Sequence, residues 1–119
     1  MAVLIIEKDR DLLSSLQRLL QNNSIETNIA FDGVQAMENI NNTNYDLIVS
    51  DLDVPRIPYS EITKTAKQKF AKTKILAIGK IEKTFEDFDN QFEYDKFISM
   101  PFDATTFLSL VKEMLDIKN

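Results

Sequence analysis

The chain contains no cysteine and no histidine. Without cysteine there is no disulfide, no thiolate nucleophile and no cysteine-bound zinc. Without histidine there is no Ser-His or Cys-His catalytic pair and no imidazole metal ligand. Glycine is nearly as scarce: only Gly33 and Gly79 occur in 119 residues, so no glycine-rich loop is available to cradle a nucleotide phosphate. No apolar run approaches the roughly 20 residues needed to span a bilayer. The first residues lead straight into a strand-like segment, without the basic region or cleavage site of a signal peptide, so a cytoplasmic location is the expectation. A net charge of −5 argues against direct nucleic-acid binding. Most enzyme classes drop out on these absences, and the chain is not expected to be an enzyme.

What remains suits one compact domain over residues 1–119, with 44% hydrophobic and 28% charged residues. Val3-Leu4-Ile5-Ile6 and Leu47-Ile48-Val49 are continuous apolar runs, as expected of strands buried on both faces. Ile25 to Ala30, Ile75 to Ile78 and Phe97-Ile98 read as three further strands. Between them run helical periodicities. Leu12, Leu13, Leu16, Leu19 and Leu20 follow a capping Asp9; Ala36, Met37 and Ile40 follow Asp32; Ile62, Ala66 and Phe70 follow Pro58. Phe85, Phe88 and Phe92 mark a weaker fourth helix, and Asp103 caps a fifth carrying Phe107, Leu108, Val111 and Met114. Five strands alternating with five helices imply a parallel sheet covered on both faces. In such folds ligands and chemistry gather at the carboxyl ends of the strands, which here are Glu7-Lys8, Asp51, Gly79-Lys80 and Ser99-Met100.

Three of these segments, VLIIEKD (3–9), DLIVSDLDVP (46–55) and FISMPF (97–102), resemble the anchor segments of response-regulator receiver domains. They stand in the same order and at similar spacing across about residues 2–116. The resemblance implies a flavodoxin-like three-layer α/β/α sandwich with strand order 2-1-3-4-5 and a role in two-component phosphorelay signalling. It implies that Asp51 is the phosphoacceptor position, served by a histidine kinase. Since the chain has no histidine of its own, the phosphoryl group would come from another molecule. It further implies that Glu7, Asp51 and the backbone carbonyl of Asp53 form the acidic pocket that would hold Mg²⁺, and that Phe97 is the switch aromatic. Partners would be other signalling proteins docking on the fourth helix, fifth strand and fifth helix. No nucleic acid or membrane is expected as a partner of this domain.

Several pocket positions depart from that pattern. Lys8 stands where the family has a second metal-binding acid, Gly79 where it has a hydroxyl residue, and Met100 where it has a lysine. Tyr59 replaces a small residue after the acceptor loop and is a candidate obstruction there. A lysine ammonium about 4 Å from a carboxylate interacts by about 4 kcal/mol at an effective dielectric near 20, before solvation and side-chain entropy reduce it. The expectation is therefore an atypical receiver in which Lys8 fills the charge niche of Mg²⁺. No cofactor is then required, and phosphorylation of Asp51 is weak or absent. The alternative is a conventional, Mg²⁺-dependent phosphoswitch. A remoter one reads Asp51-Leu52-Asp53-Val54 as the DxDx(T/V) nucleophile motif of haloacid-dehalogenase-type phosphatases, with Asp51 as nucleophile and Asp53 as general acid. Charge is also uneven. Lys64, Lys67, Lys69, Lys72 and Lys74 form a basic stretch, and Glu82, Glu86, Asp87, Asp89, Glu93 and Asp95 an acidic one. These read as two solvated faces or as a docking surface.

Overall fold

Val3, Leu4, Ile5 and Ile6 are all buried. Because successive side chains of a strand point to opposite faces, Val3 and Ile5 enter one core and Leu4 and Ile6 the other. The computed structural model describes residues 1–80 and 92–117. Its elements are β1 (Ala2–Ile6), α1 (Arg10–Asn22), β2 (Glu26–Ala30), α2 (Gly33–Asn42), β3 (Leu47–Asp51), α3 (Tyr59–Lys69), β4 (Lys74–Gly79), β5 (Lys96–Ser99) and α4 (Ala104–Met114). The five strands form one parallel sheet in the order β2-β1-β3-β4-β5. The last of these helices corresponds to the fifth helix expected from the sequence. Of the weaker helix expected before β5, Phe85 and Phe88 lie outside the described residues, and Phe92 stands in irregular chain.

Helices α1 and α4 cover one face. Leu13, Leu16 and Leu20 meet Phe107, Val111 and Met114 over Val49 and Ile78. Helices α2 and α3 cover the other, through Ala36, Ile40, Ile62 and Ala66 over Ile48, Ile75 and Ala77. Aspartates begin three of these helices. Asp9 accepts from the amides of Asp11 and Leu12, Asp32 from Gln35, and Asp103 from Thr106, satisfying donors that the helix itself leaves unpaired. Hydrogen bonding to Thr106 holds the Asp103 carboxyl below its usual range. Among the described residues no helix is long and apolar enough to cross a membrane.

The loop after β3 is pinned to the start of α2. The Gly33 amide donates to Pro55 O at 2.9 Å, and Arg56, at φ 77°, stands 3.6 Å from Asp32. A Cβ on Gly33 would lie 2.5 Å from Ile57 Cβ and 2.7 Å from Ile57 O. Only glycine permits that approach.

Candidate functional site

The hydrogen-bond ladders of the sheet continue one residue beyond their strands. The Glu7 amide donates to Ala30 O at 3.0 Å, Leu52 to Ile78 O at 3.0 Å and Met100 to Gly79 O at 2.9 Å. Glu7, Asp51, Gly79 and Met100 are thereby fixed along the carboxyl edge, where they line a cleft of about 640 Å³ with Lys8 and Asp53.

Glu7 turns inward and is only 3% exposed. Its Oε2 accepts from the Asp9 amide at 3.0 Å, whereas its Oε1 is buried without a hydrogen-bond partner. Burial pushes the Glu7 carboxyl up from 4.5 to about 7. The Asp9 amide and the Lys8 charge work against that rise, and Asp51 adds to it.

Lys8 follows in sequence and turns outward, with its side chain 45% exposed. Its Nζ donates to Asp51 Oδ2 at 3.0 Å and to Asp53 O at 3.2 Å, and lies 3.3 Å from Asp53 Oδ2. Partial burial opposes the Lys8 charge, but the Asp51 and Asp53 contacts outweigh it and raise the ammonium above its ordinary value. The contacts run to Asp51 and Asp53 rather than to Glu7. Asp51 Oδ1 accepts from the Asp53 amide at 2.9 Å, closing the turn after β3. Both carboxylate oxygens of Asp51 are thus engaged, one by backbone and one by an ammonium.

Leu12, Leu52, Phe92 and Met100 supply the apolar part of the cleft's lining. Leu52 occupies the space that the missing side chain of Gly79 leaves, so a Cβ there would lie 2.9 Å from Leu52 Cδ1 and 3.3 Å from Phe97 Cε1. Phe97 packs on Tyr94 with ring centroids 5.6 Å apart. The Met100–Pro101 peptide is cis.

Sequence reasoning brings together Glu7, Lys8, Asp51, Asp53, Gly79 and Met100, and all six line the cleft. Tyr59 requires a correction. It does not line the cleft but is buried on the α2–α3 side, where its hydroxyl donates to Glu93 O and its ring meets Phe92 edge-on at 5.3 Å. Burial, with the acidic groups nearby, raises its hydroxyl well above the ordinary tyrosine value. Leu12 and Leu52 carried no sequence signal as lining residues, since Leu12 is one of several leucines of α1 and Leu52 one leucine after a strand. Asp53 is 86% exposed at its side chain, a solvent-facing position unlike that of a buried general acid. Three of the five lysines of the basic stretch have partners within the fold. Lys67 pairs with Asp95 at 3.1 Å, Lys69 donates to Ile40 O and Lys74 to Met114 O at 3.0 Å. Of the acidic stretch, Glu82, Glu86, Asp87 and Asp89 lie outside the described residues.

The family model of the response regulator receiver domain matches residues 3–112. The chain is 24% identical over 113 residues to the transcriptional regulatory protein DltR of Streptococcus agalactiae, covering 94% of this chain and 50% of that protein. It is 26% identical over 113 residues to the response regulator ArlR of Staphylococcus saprophyticus, covering 95% of this chain and 51% of that one. The chain therefore spans about half the length of these curated relatives. Among solved structures, the chemotaxis response regulator CheY4 of Vibrio cholerae superposes with a TM-score of 0.84 at 20% identity, over 95% of this chain and 97% of that one. The response regulator TrrA of Thermotoga maritima, solved in complex with Mg²⁺-BeF, superposes with a TM-score of 0.80 at 21% identity, again over 95% and 97%. At such identities these structures speak to the fold.

Proposed function

The chain belongs to the receiver domain family of two-component response regulators, and from that membership we propose a receiver whose acidic pocket carries Lys8, rather than a divalent metal, as its resident cation. Such a domain signals through contacts with other proteins, a histidine kinase among the candidates. Phosphorylation of Asp51 is weak or absent. Family membership supports this signalling reading over the phosphatase one.

One observation carries the proposal: the Lys8 ammonium sits 3.0 Å from Asp51 Oδ2 and 3.2 Å from Asp53 O. Those are two of the oxygens that the family resemblance assigns to Mg²⁺. The partnerless Glu7 Oε1 is a third oxygen suited to a cation. Mg²⁺, however, demands near-octahedral oxygens at about 2.0–2.1 Å. A dication beside an ammonium about 4 Å away would be repelled by about 8 kcal/mol at an effective dielectric near 20, before water screens it. The donor set as arranged does not fit the metal while Lys8 holds its place.

The same arrangement weakens any switch. Gly79 offers no hydroxyl and Met100 no ammonium to a modified Asp51, so the contacts that would favour a second conformation are missing. A ligand shifts a two-state equilibrium only by its differential affinity for the two states. Adding beryllofluoride with Mg²⁺ and following backbone amide chemical shifts tests this. Shifts are expected to be absent or confined to the neighbours of Asp51. Saturable shifts extending through β5 to Phe97 and into α4 would establish a working phosphoswitch instead.

A further inference from the structure

The loop after β3 contains a turn that its own sequence does not favour. The Ile57 amide donates to Pro55 O at 3.0 Å, with Arg56 between them at φ 77°. That is the rare, strained form of the γ-turn, at a φ that glycine takes freely and arginine does not. Such a conformation persists where its surroundings hold it in place. On one side the Lys8 ammonium donates to Asp53 O at 3.2 Å and lies 3.3 Å from the Asp53 carboxylate. On the other, Pro55 O accepts from the Gly33 amide at 2.9 Å. We propose that Lys8 is a clasp: by holding Asp53 it keeps the turn at Arg56 closed on the start of α2, so that loss of the Lys8 contact is read out at Gly33. This inference deepens the reading of Lys8 as the pocket's own cation and rests on it.

Three features carry it. Only Val54 separates the residue that Lys8 holds from the one that Gly33 holds, so there is little slack between the two contacts. Pro55 O accepts twice, from Gly33 and from Ile57, and opening the turn therefore disturbs the Gly33 bond as well. Finally, the other tie on this turn is weak. Arg56 stands 3.6 Å from Asp32 with its side chain 70% exposed, and a pair so exposed contributes little, whereas Lys8 makes charge-assisted contacts with two groups of Asp53. Asp32 also caps the Gln35 amide at 2.8 Å, and Gln35 Oε1 accepts from the Phe31 amide at 3.0 Å. The clasp thus ends where β2 passes into α2, at the edge of the sheet opposite to β5. With the ammonium 45% exposed, an acidic group of a docking protein can compete for it, and the turn is the part that would respond.

The experiment measures native-state hydrogen exchange of the backbone amides of the whole chain by NMR, in EDTA. In Lys8→Met the Gly33 amide should exchange about tenfold faster than in the unmodified chain, the loss of one charge-assisted hydrogen bond. The Val49 amide, in the centre of the sheet, should keep its rate. Arg56→Gly accepts the positive φ without strain. On that background Lys8→Met should therefore speed Gly33 by about threefold at most, a coupling between the two positions that a merely global loss of stability would not produce. An unchanged Gly33 rate in Lys8→Met, equal acceleration of Gly33 and Val49, or the full tenfold effect on the Arg56→Gly background would overturn the proposal. Because EDTA removes divalent ions, these outcomes bear on the clasp alone. Saturable Mg²⁺ binding by the unmodified chain in a separate titration would instead refute Lys8 as the resident cation.

Discussion

Replacing Glu7 by glutamine removes a buried acid whose protonation is coupled to folding. In the folded chain the carboxyl is raised from 4.5 to about 7, chiefly by burial. Between those values the folded state holds a proton that the unfolded state releases, so stability falls as pH rises through this window. Below about pH 4.5 both states are protonated and the penalty vanishes; above about pH 7 it is complete. A tenfold difference in proton affinity between folded and unfolded chain corresponds to about 1.36 kcal/mol, so the wild type should lose about 2.5 kcal/mol between about pH 5 and pH 8 from this group. Local relaxation and water penetration lower that to about 2 kcal/mol. Glutamine keeps an oxygen for the Asp9 amide and cannot ionise. Urea denaturation across this range should therefore find the variant similar to wild type near pH 5 and more stable by about 2 kcal/mol near pH 8. With a urea slope of about 1–3 kcal/mol per molar, the midpoints would then separate by about 0.7–2 M. A difference between the two proteins that does not change with pH would mean that Glu7 ionises alike folded and unfolded, and the coupling would not exist.

Other perturbations probe the supports of the site. Gly33→Ala places a Cβ 2.5 Å from Ile57 Cβ and against Ile57 backbone, so it should destabilise the fold by about 2 kcal/mol in thermal or urea melts; an unchanged midpoint would contradict the close packing. Tyr59→Phe removes the hydroxyl bond to Glu93 O and should cost about 1 kcal/mol in urea melts; an unchanged midpoint would mean that the bond contributes nothing to stability. The combined Lys8→Asp, Gly79→Thr and Met100→Lys chain should gain Mg²⁺-dependent modification of Asp51 by acetyl phosphate, read by mass spectrometry. The threonine Cβ, 2.9 Å from Leu52 Cδ1 and 3.3 Å from Phe97 Cε1, requires the end of Leu52 to rotate and the Phe97 ring to give slightly. Failure of that chain to react would locate an obstruction elsewhere in the cleft.

The layers were legible because a sheet covered on both faces needs runs such as Val3–Ile6, and because helices announce themselves by spacing and by caps such as Asp9, Asp32 and Asp103; the strand order came from the resemblance to receiver domains and from no run or spacing. The residues at strand ends were legible for the same reason, since the carboxyl edge gathers whatever follows each strand. Side-chain direction was not. Tyr59 follows the acceptor loop in sequence, but its ring turns into the α2–α3 core. Leu52 fills the space beside Gly79 because of its rotamer, which no pattern encodes. Gly33 carried a weak signal, a glycine directly after a capping aspartate, but the loop that crosses it belongs to a distant stretch of chain. The basic stretch from Lys64 to Lys74 reads as a surface until the partners of Lys67, Lys69 and Lys74 are known.

Whether Lys8 has displaced the metal can be decided by titration calorimetry of the unmodified chain with Mg²⁺, alongside Lys8→Asp. With Lys8 as the resident cation, the unmodified chain should show no saturable binding heat at millimolar Mg²⁺, and the variant should give a one-site isotherm. A stoichiometric isotherm for the unmodified chain, lost on replacing Asp51, would mean that the metal and not Lys8 holds the pocket.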